Sequence, residues 1–221
     1  MTVRNNPATT RASFNPDYFE RLYANEEDPW RFASSNYERS KYTATLETLK
    51  GQRFGAVFEV GCSIGILTRM LAPSCESLLA VDVSRIALTR ARRTCRAFRN
   101  VTIARMRIPA EWPAAQFDLI LLSEVLYFHG PKDIRTTARK TLRSLSPNGK
   151  VFLVNWLGET DYPCSGDEAT GIFLSTAGTD LTIAEQLRNP DYRLDLLVVR
   201  DPDAPTVERI RDHSGHLHLH W

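Results

Sequence analysis

The stretch Val57-Phe58-Glu59-Val60-Gly61-Cys62-Ser63-Ile64-Gly65 constrains this chain more than any other. Residues 56–60 form an apolar run of strand length that breaks at Gly61. The helical spacing of Ile66, Leu67, Met70 and Leu71 follows, until Pro73 stops it. Two glycines at a strand-to-helix turn let the backbone close on a ligand with no Cβ in the way. A helix that starts there also presents free N–H groups and the positive end of its dipole. The spacing narrows the ligand. A dinucleotide fold uses G-x-G-x-x-G and a P-loop uses G-x-x-x-x-G-K-[ST]. Here the pattern is Glu59-x-Gly61-x-x-x-Gly65 with no Lys-Ser/Thr pair after it, which points away from a pyrophosphate. Residues 78–82, Leu-Leu-Ala-Val-Asp, then form a second apolar strand ending in a carboxylate. Asp82 stands where an α/β nucleotide fold places the acid that accepts both ribose hydroxyls.

The remaining pattern extends this strand–helix alternation. Residues 17–23 have the spacing of a short helix, Asp28-Pro29 reads as a cap with proline at the first helical position, and Ser35 or Asn36 can cap a longer helix. Ser84 caps a basic helix running to about Phe98, read as a solvated outer face. Residues 101–104 and 117–122 are strands, the latter continuously apolar as a central parallel strand should be. A helix over 133–145, a turn at Ser146-Pro147-Asn148-Gly149 and a strand over 151–156 follow. A further helix over 167–177 leads to a hairpin of strands 181–188 and 192–200. The expected fold class is α/β: a Rossmann-like, seven-stranded, mostly parallel sheet with a C-terminal antiparallel hairpin. The expected organisation is a disordered start over 1–13, one domain over 14–200, and a polar histidine-containing tail over 201–221.

Whole-chain properties set outer limits. A length of 221 residues suits one α/β domain, and a net charge of +2 gives no argument for nucleic acid or a membrane surface. No apolar run approaches the 18 residues of a membrane span. Cys62, Cys75, Cys95 and Cys164 show no CxxC pairing. Free thiols, with no apolar stretch at the N-terminus, lead to an expected cytoplasmic location. The tail histidines (His213, His216, His218 and His220) lack an acid or cysteine at ligand spacing, so no metal is expected. Oligomeric state is not legible.

With Glu59, Gly61, Gly65 and Asp82 in place, the chain resembles the class I S-adenosylmethionine-dependent methyltransferases. Phe117-Asp118-Leu119-Ile120-Leu121-Leu122-Ser123-Glu124-Val125-Leu126-Tyr127-Phe128 looks like their fourth strand and its loop. Asp28-Pro29-Trp30-Arg31 and Tyr37-Glu38-Arg39 resemble the nodulation protein S branch, whose rhizobial enzyme N-methylates the glucosamine end of a lipo-chitooligosaccharide precursor. The resemblance implies S-adenosylmethionine as cofactor, held at Glu59, Gly61, Cys62, Gly65, Asp82, Val83, Met106, Arg107, Ile108 and Ser123. Related enzymes commonly carry an acid where this chain has Arg107, so backbone groups there are left to read the adenine. The resemblance also places Trp30, Tyr37 and Arg39 on the substrate side.

Methyl transfer from a sulfonium is an in-line displacement in which the protein mainly supplies alignment. Ligands in such sheets bind outside the carboxyl ends of the strands. Glu124 is the expected acceptor-side base and Tyr127 an orienting group, with Trp156 and Asp161 beyond the fifth strand on the substrate side. His129 reads as an exposed loop residue. The turn after the fourth strand is not the Asn/Asp-Pro-Pro-Tyr/Phe of amide or adenine methylation, and Pro163-Cys164 lacks the basic groove that pyrimidine methylation needs. The expected function is transfer of a methyl group to a small-molecule acceptor. An amine on an amino sugar or oligosaccharide is favoured over an oxygen or carbon acceptor, a non-catalytic binding module, or a nicotinamide-dependent oxidoreductase.

Overall fold

A computed structural model describes residues 11–200, 208–211 and 217–220, the last two segments as backbone only. Two helices, α1 (Pro16–Asn25) and α2 (Asn36–Thr48), precede β1 (Phe54–Val60). Asn15 caps α1, with Pro16 at its first position, and the Ser35 hydroxyl caps α2 through the Glu38 N–H. The Asp28-Pro29 segment is a turn rather than a helix start: the Asp28 carboxylate accepts from the Phe32 and Ala33 N–H groups at 2.9 and 2.8 Å.

Strand and helix then alternate through α3 (Ile66–Leu71), β2 (Cys75–Asp82), α4 (Arg85–Thr94), β3 (Val101–Arg105) and β4 (Phe117–Ser123). They are followed by α5 (Pro131–Ser144), β5 (Leu145–Trp156), α6 (Gly166–Ala177), β6 (Leu181–Arg188) and β7 (Tyr192–Val199). The sheet order is β3-β2-β1-β4-β5-β7-β6, extended by β8 (Glu208–Arg211) and β9 (Leu217–His220). The first five strands run parallel, and β7 enters antiparallel between β5 and β6. The first seven strands take the expected class I methyltransferase arrangement, and two more extend the sheet among the described residues. β8 joins β6 in parallel and pairs with β9 antiparallel, so part of the expected tail continues the sheet. His213 and His216 lie outside the described residues, as do residues 1–10 of the expected disordered start. Arg11 and Ser13 are anchored, by Glu168 and by Asp133 with the Gly130 N–H.

The core follows the two-residue period of the central strand. Leu119 and Leu121 join one cluster with Tyr42, Leu67 and Leu71, which seats α2 and α3 on that face. Ile120 and Leu122 join another with Ile134, Ala138 and Phe173, which seats α5 and α6 on the opposite face. All four β4 residues are fully buried. Each contributes about 1.5–3 kcal/mol of transfer free energy. A sheet covered on both faces leaves its open strand ends as the place for a ligand.

Candidate active site

β1 and β2 run parallel with Val60 opposite Val81, so Gly61 and Asp82 meet on one lip of the sheet. The Gly61 and Cys62 N–H groups both donate to the Val81 carbonyl, at 2.8 and 2.9 Å. Gly61 has φ +78°, and a Cβ there would lie 2.2 Å from Val125 Cγ1, so only glycine fits. The Asp82 carboxylate accepts from the Ser63 N–H at 3.0 Å and the Ser84 N–H at 2.9 Å, one on each oxygen. A second lone pair on each oxygen remains. Burial pushes Asp82 up from the usual carboxylate range, against these backbone donors. Glu59 lies beneath the loop with Oε2 buried and unpartnered, and burial raises its carboxyl to about 7. α1 covers the loop, its Tyr23 hydroxyl sharing a hydrogen bond with the Ser63 side chain. The Arg90 guanidinium ties the same helix down through the Tyr23, Glu26 and Glu27 carbonyls.

Gly65 does a different job from the one its place in the motif implies. It does not line the cavity; a Cβ there would come within 3.0–3.2 Å of Ala91 and Cys95, so glycine lets α4 pack against the loop. α3 is only six residues long, which leaves the expected dipole short. Glycine backbone and Asp82 therefore make this lip.

One cavity of about 800 Å³ runs from the lip to a second lobe beyond β4 and β5. Its wall includes Glu59, Gly61, Cys62, Asp82, Val83, Met106, Arg107, Ile108 and Ser123 on the first side. Trp30, Tyr37, Glu124, Tyr127 and Trp156 line the rest. Arg39 and Asp161 are exposed and absent from the wall. Arg39 follows Glu38 on α2 and is turned outward by the helical rotation, while Asp161 lies between the lining residues Thr160 and Tyr162. The Arg107 N–H is taken by the Glu111 carboxylate at 2.6 Å, so it is not free to read a base. His129 is partly buried rather than exposed; its Nδ1 has no partner, and burial lowers the imidazole to about 4.

The second lobe holds a charge cluster that sequence reasoning did not assemble. Lys41 of α2 is 2% exposed and pairs with Glu38 Oε1 at 3.0 Å and Glu124 Oε1 at 2.8 Å. Its ammonium also lies 5.0 Å from the Tyr37 ring centroid. Glu124 Oε2 accepts from the Tyr127 hydroxyl and from the Trp156 N–H, the latter at 3.1 Å. Glu124 itself has φ +58°, a conformation a non-glycine residue adopts only when its surroundings impose it. Burial raises Tyr127, with the adjacent Glu124 carboxylate adding to the effect. The available signal was Glu38 and Lys41 three apart on one helix, a spacing that usually marks a solvated pair.

Residues 15–156 match the family model for nodulation protein S (NodS). This chain belongs to the nodulation protein S family. Within the family, it is 33% identical over 124 residues to nodulation protein S of Bradyrhizobium diazoefficiens, covering 55% of this chain and 59% of that protein. It is 32% identical over 127 residues to the Rhizobium tropici protein, covering 57% and 53%. The chain thus spans between half and two thirds of the length of these curated relatives. The crystal structure of N-methyltransferase NodS from Bradyrhizobium japonicum WM9 in complex with S-adenosyl-l-homocysteine superposes with a TM-score of 0.74 at 25% identity, over 84% of this chain and 98% of that one. A putative methyltransferase from Pseudomonas syringae is 30% identical with a TM-score of 0.64, over 73% of this chain and 98% of its own. Among the described residues, no helix is long and apolar enough to cross a membrane, and no group of three potential metal ligands occurs.

Proposed function

We propose that this chain transfers the methyl group of S-adenosylmethionine to the nitrogen of a small-molecule amine, with a glucosamine-type saccharide as the favoured acceptor. The observation that carries this reading is a single cavity that joins the Gly61–Asp82 lip to a lobe walled by the Glu38 and Glu124 carboxylates and aromatic rings. The lip suits the cofactor: Gly61 offers bare backbone, Asp82 has spare lone pairs for two ribose hydroxyls, and Met106 with Ile108 gives an apolar wall for a base. The NodS relative seen with S-adenosyl-l-homocysteine supports the same assignment.

S-adenosylmethionine, when bound, supplies a methyl carbon already activated by its sulfonium, whose carbon–sulfur bond breaks with the electron pair going to sulfur. The chain's task is then alignment, which contributes most when the nucleophile is held about 3 Å from the carbon. Glu124 is suited to that task because Lys41, Tyr127 and the Trp156 backbone fix its carboxylate. The rings of Trp30, Tyr37, Trp156 and Tyr162 offer flat faces against which a pyranose can lie.

The test is thermal unfolding followed by a transfer assay. S-adenosylmethionine at about a hundred times its Kd stabilises by about 2.7 kcal/mol, a rise of roughly 5–10 °C for a chain of this size, whereas NADH leaves the midpoint unchanged. Labelled methyl then appears on a glucosamine-terminated chitooligosaccharide and not on its N-acetylated counterpart. Stabilisation by NADH alone, or label on neither saccharide nor any other amine, overturns the proposal.

A further inference from the structure

We infer that Glu38, rather than Glu124, takes the proton from the acceptor's ammonium. This rests on the amine-methyltransferase reading and deepens it. Glu38 and Glu124 both line the cavity and carry four carboxylate oxygens between them. Three are engaged: Glu38 Oε1 and Glu124 Oε1 by Lys41, and Glu124 Oε2 by Tyr127 and the Trp156 N–H. Glu38 Oε2 has no donor. It belongs to a side chain only 6% exposed that lines the same cavity as Gly61 and Asp82. The terminal torsion of a glutamate is soft, so this oxygen can turn toward a donor within the cavity. A buried carboxylate oxygen without a partner is costly, and an ammonium N–H from the acceptor removes that cost.

The charges around Glu38 favour the same role. Lys41 sits between the two carboxylates, and the Tyr37 ring takes its remaining side. Burial raises Glu38 most, Lys41 lowers it, and Glu124 with Asp28 from the turn before α2 add smaller increases. Tyr42 on α2 and Tyr127 after β4 also face it. The balance holds Glu38 above the usual carboxylate range, nearer to the amine it serves.

In the step, one proton moves from the acceptor nitrogen to Glu38 Oε2 and frees the lone pair. The nitrogen–carbon bond forms as the carbon–sulfur bond breaks, and the product leaves as a secondary ammonium. Glu38 returns its proton to solvent, so one proton is released per turnover.

The experiment compares the full-length wild type, Glu38→Gln and Glu38→Asp with a glucosamine-terminated chitooligosaccharide across pH 6–9. Wild-type kcat/KM is flat between the pKa of Glu38 and that of the amine, because there the pair shares one proton whichever partner carries it. Glu38→Gln accepts only the free amine, so its kcat/KM drops at least about fiftyfold near pH 6.5 and climbs about tenfold per pH unit. Glu38→Asp restores the flat profile at lower height. S-adenosylmethionine affinity stays within about twofold in all three, showing that the fold and the lip persist. Calorimetry on the S-adenosylhomocysteine-loaded proteins gives a readout independent of turnover. Glu38→Gln binds the amine at least about tenfold more weakly and the N-acetylated saccharide unchanged. A wild type that itself climbs tenfold per unit, or a Glu38→Gln variant with the wild-type profile, overturns the assignment while leaving amine methylation standing. A wild type that binds S-adenosylmethionine but methylates only a hydroxyl overturns the amine reading and this assignment with it.

Discussion

The two lobes of the cavity are built from different materials. The lip at Gly61 and Asp82 is contiguous and made of backbone: a glycine at φ +78°, a carboxylate held by two N–H groups, and two parallel strand ends. The second lobe is assembled from α2, the loop after β4 and the end of β5, and side-chain charge holds it together. Backbone architecture tolerates little change but demands few particular side chains. A buried charge cluster does the reverse: each member depends on its partners, so removing one leaves the others without their counter-charge.

Lys41→Met gives the sharpest test of that difference. It leaves Glu38 and Glu124 buried without their cation, and breaking such a pair costs about 3–5 kcal/mol. Combining it with Glu38→Gln and Glu124→Gln recovers most of that stability in urea unfolding, because the loss comes from unpaired charge rather than a cavity. A triple variant as unstable as Lys41→Met would mean that packing, not charge, holds the lobe. Gly61→Ala breaks the other side of the comparison. Its methyl group meets Val125 and its φ is left-handed, a combined cost of about 2–4 kcal/mol. Val125→Ala in the same chain relieves the contact and not the φ, so it recovers only part of the loss. Full recovery would show that the backbone angle is unimportant.

The same contrast explains what the sequence disclosed. Glu59, Gly61 and Asp82 were legible because strand, turn and acid follow one another at fixed spacing, and the sheet brings the two strand ends together. The hairpin of β6 and β7 was legible because Asn189-Pro190-Asp191 separates two apolar runs. Lys41 was not: 83 positions separate it from Glu124, and nothing local on α2 marks it as buried. The resemblance puts Arg39 on the substrate side and passes over its neighbour Glu38, and the helix rotation reverses the two. Gly65 was expected to bring backbone to the ligand, but what it accommodates, the approach of Ala91 and Cys95, is a tertiary contact no local pattern contains. The strands beyond residue 200 went unread because their short runs are mixed with charge and histidine.

Glu59 is the exception within the backbone-built lip, and it yields the smallest and most selective effect. Its carboxyl stands at about 7 in the folded chain against 4.5 when exposed, because burial disfavours the charged form and outweighs the Thr68 hydroxyl, with Asp82 adding repulsion. The folded state therefore binds this proton more tightly than the unfolded chain does. Its contribution to stability is complete below about pH 4.5 and is lost as the pH rises through 7. Asp82 and Glu38 act in the same sense, whereas His129, lowered to about 4, works oppositely as the pH falls below 6.5. The wild-type curve alone cannot separate them, but its difference from Glu59→Gln can. In the ligand-free protein the substitution is near neutral at pH 5 and stabilises by about 1–3 kcal/mol at pH 8. A constant offset between the two curves across that range would mean that Glu59 is ionised throughout, paired by a donor on the loop.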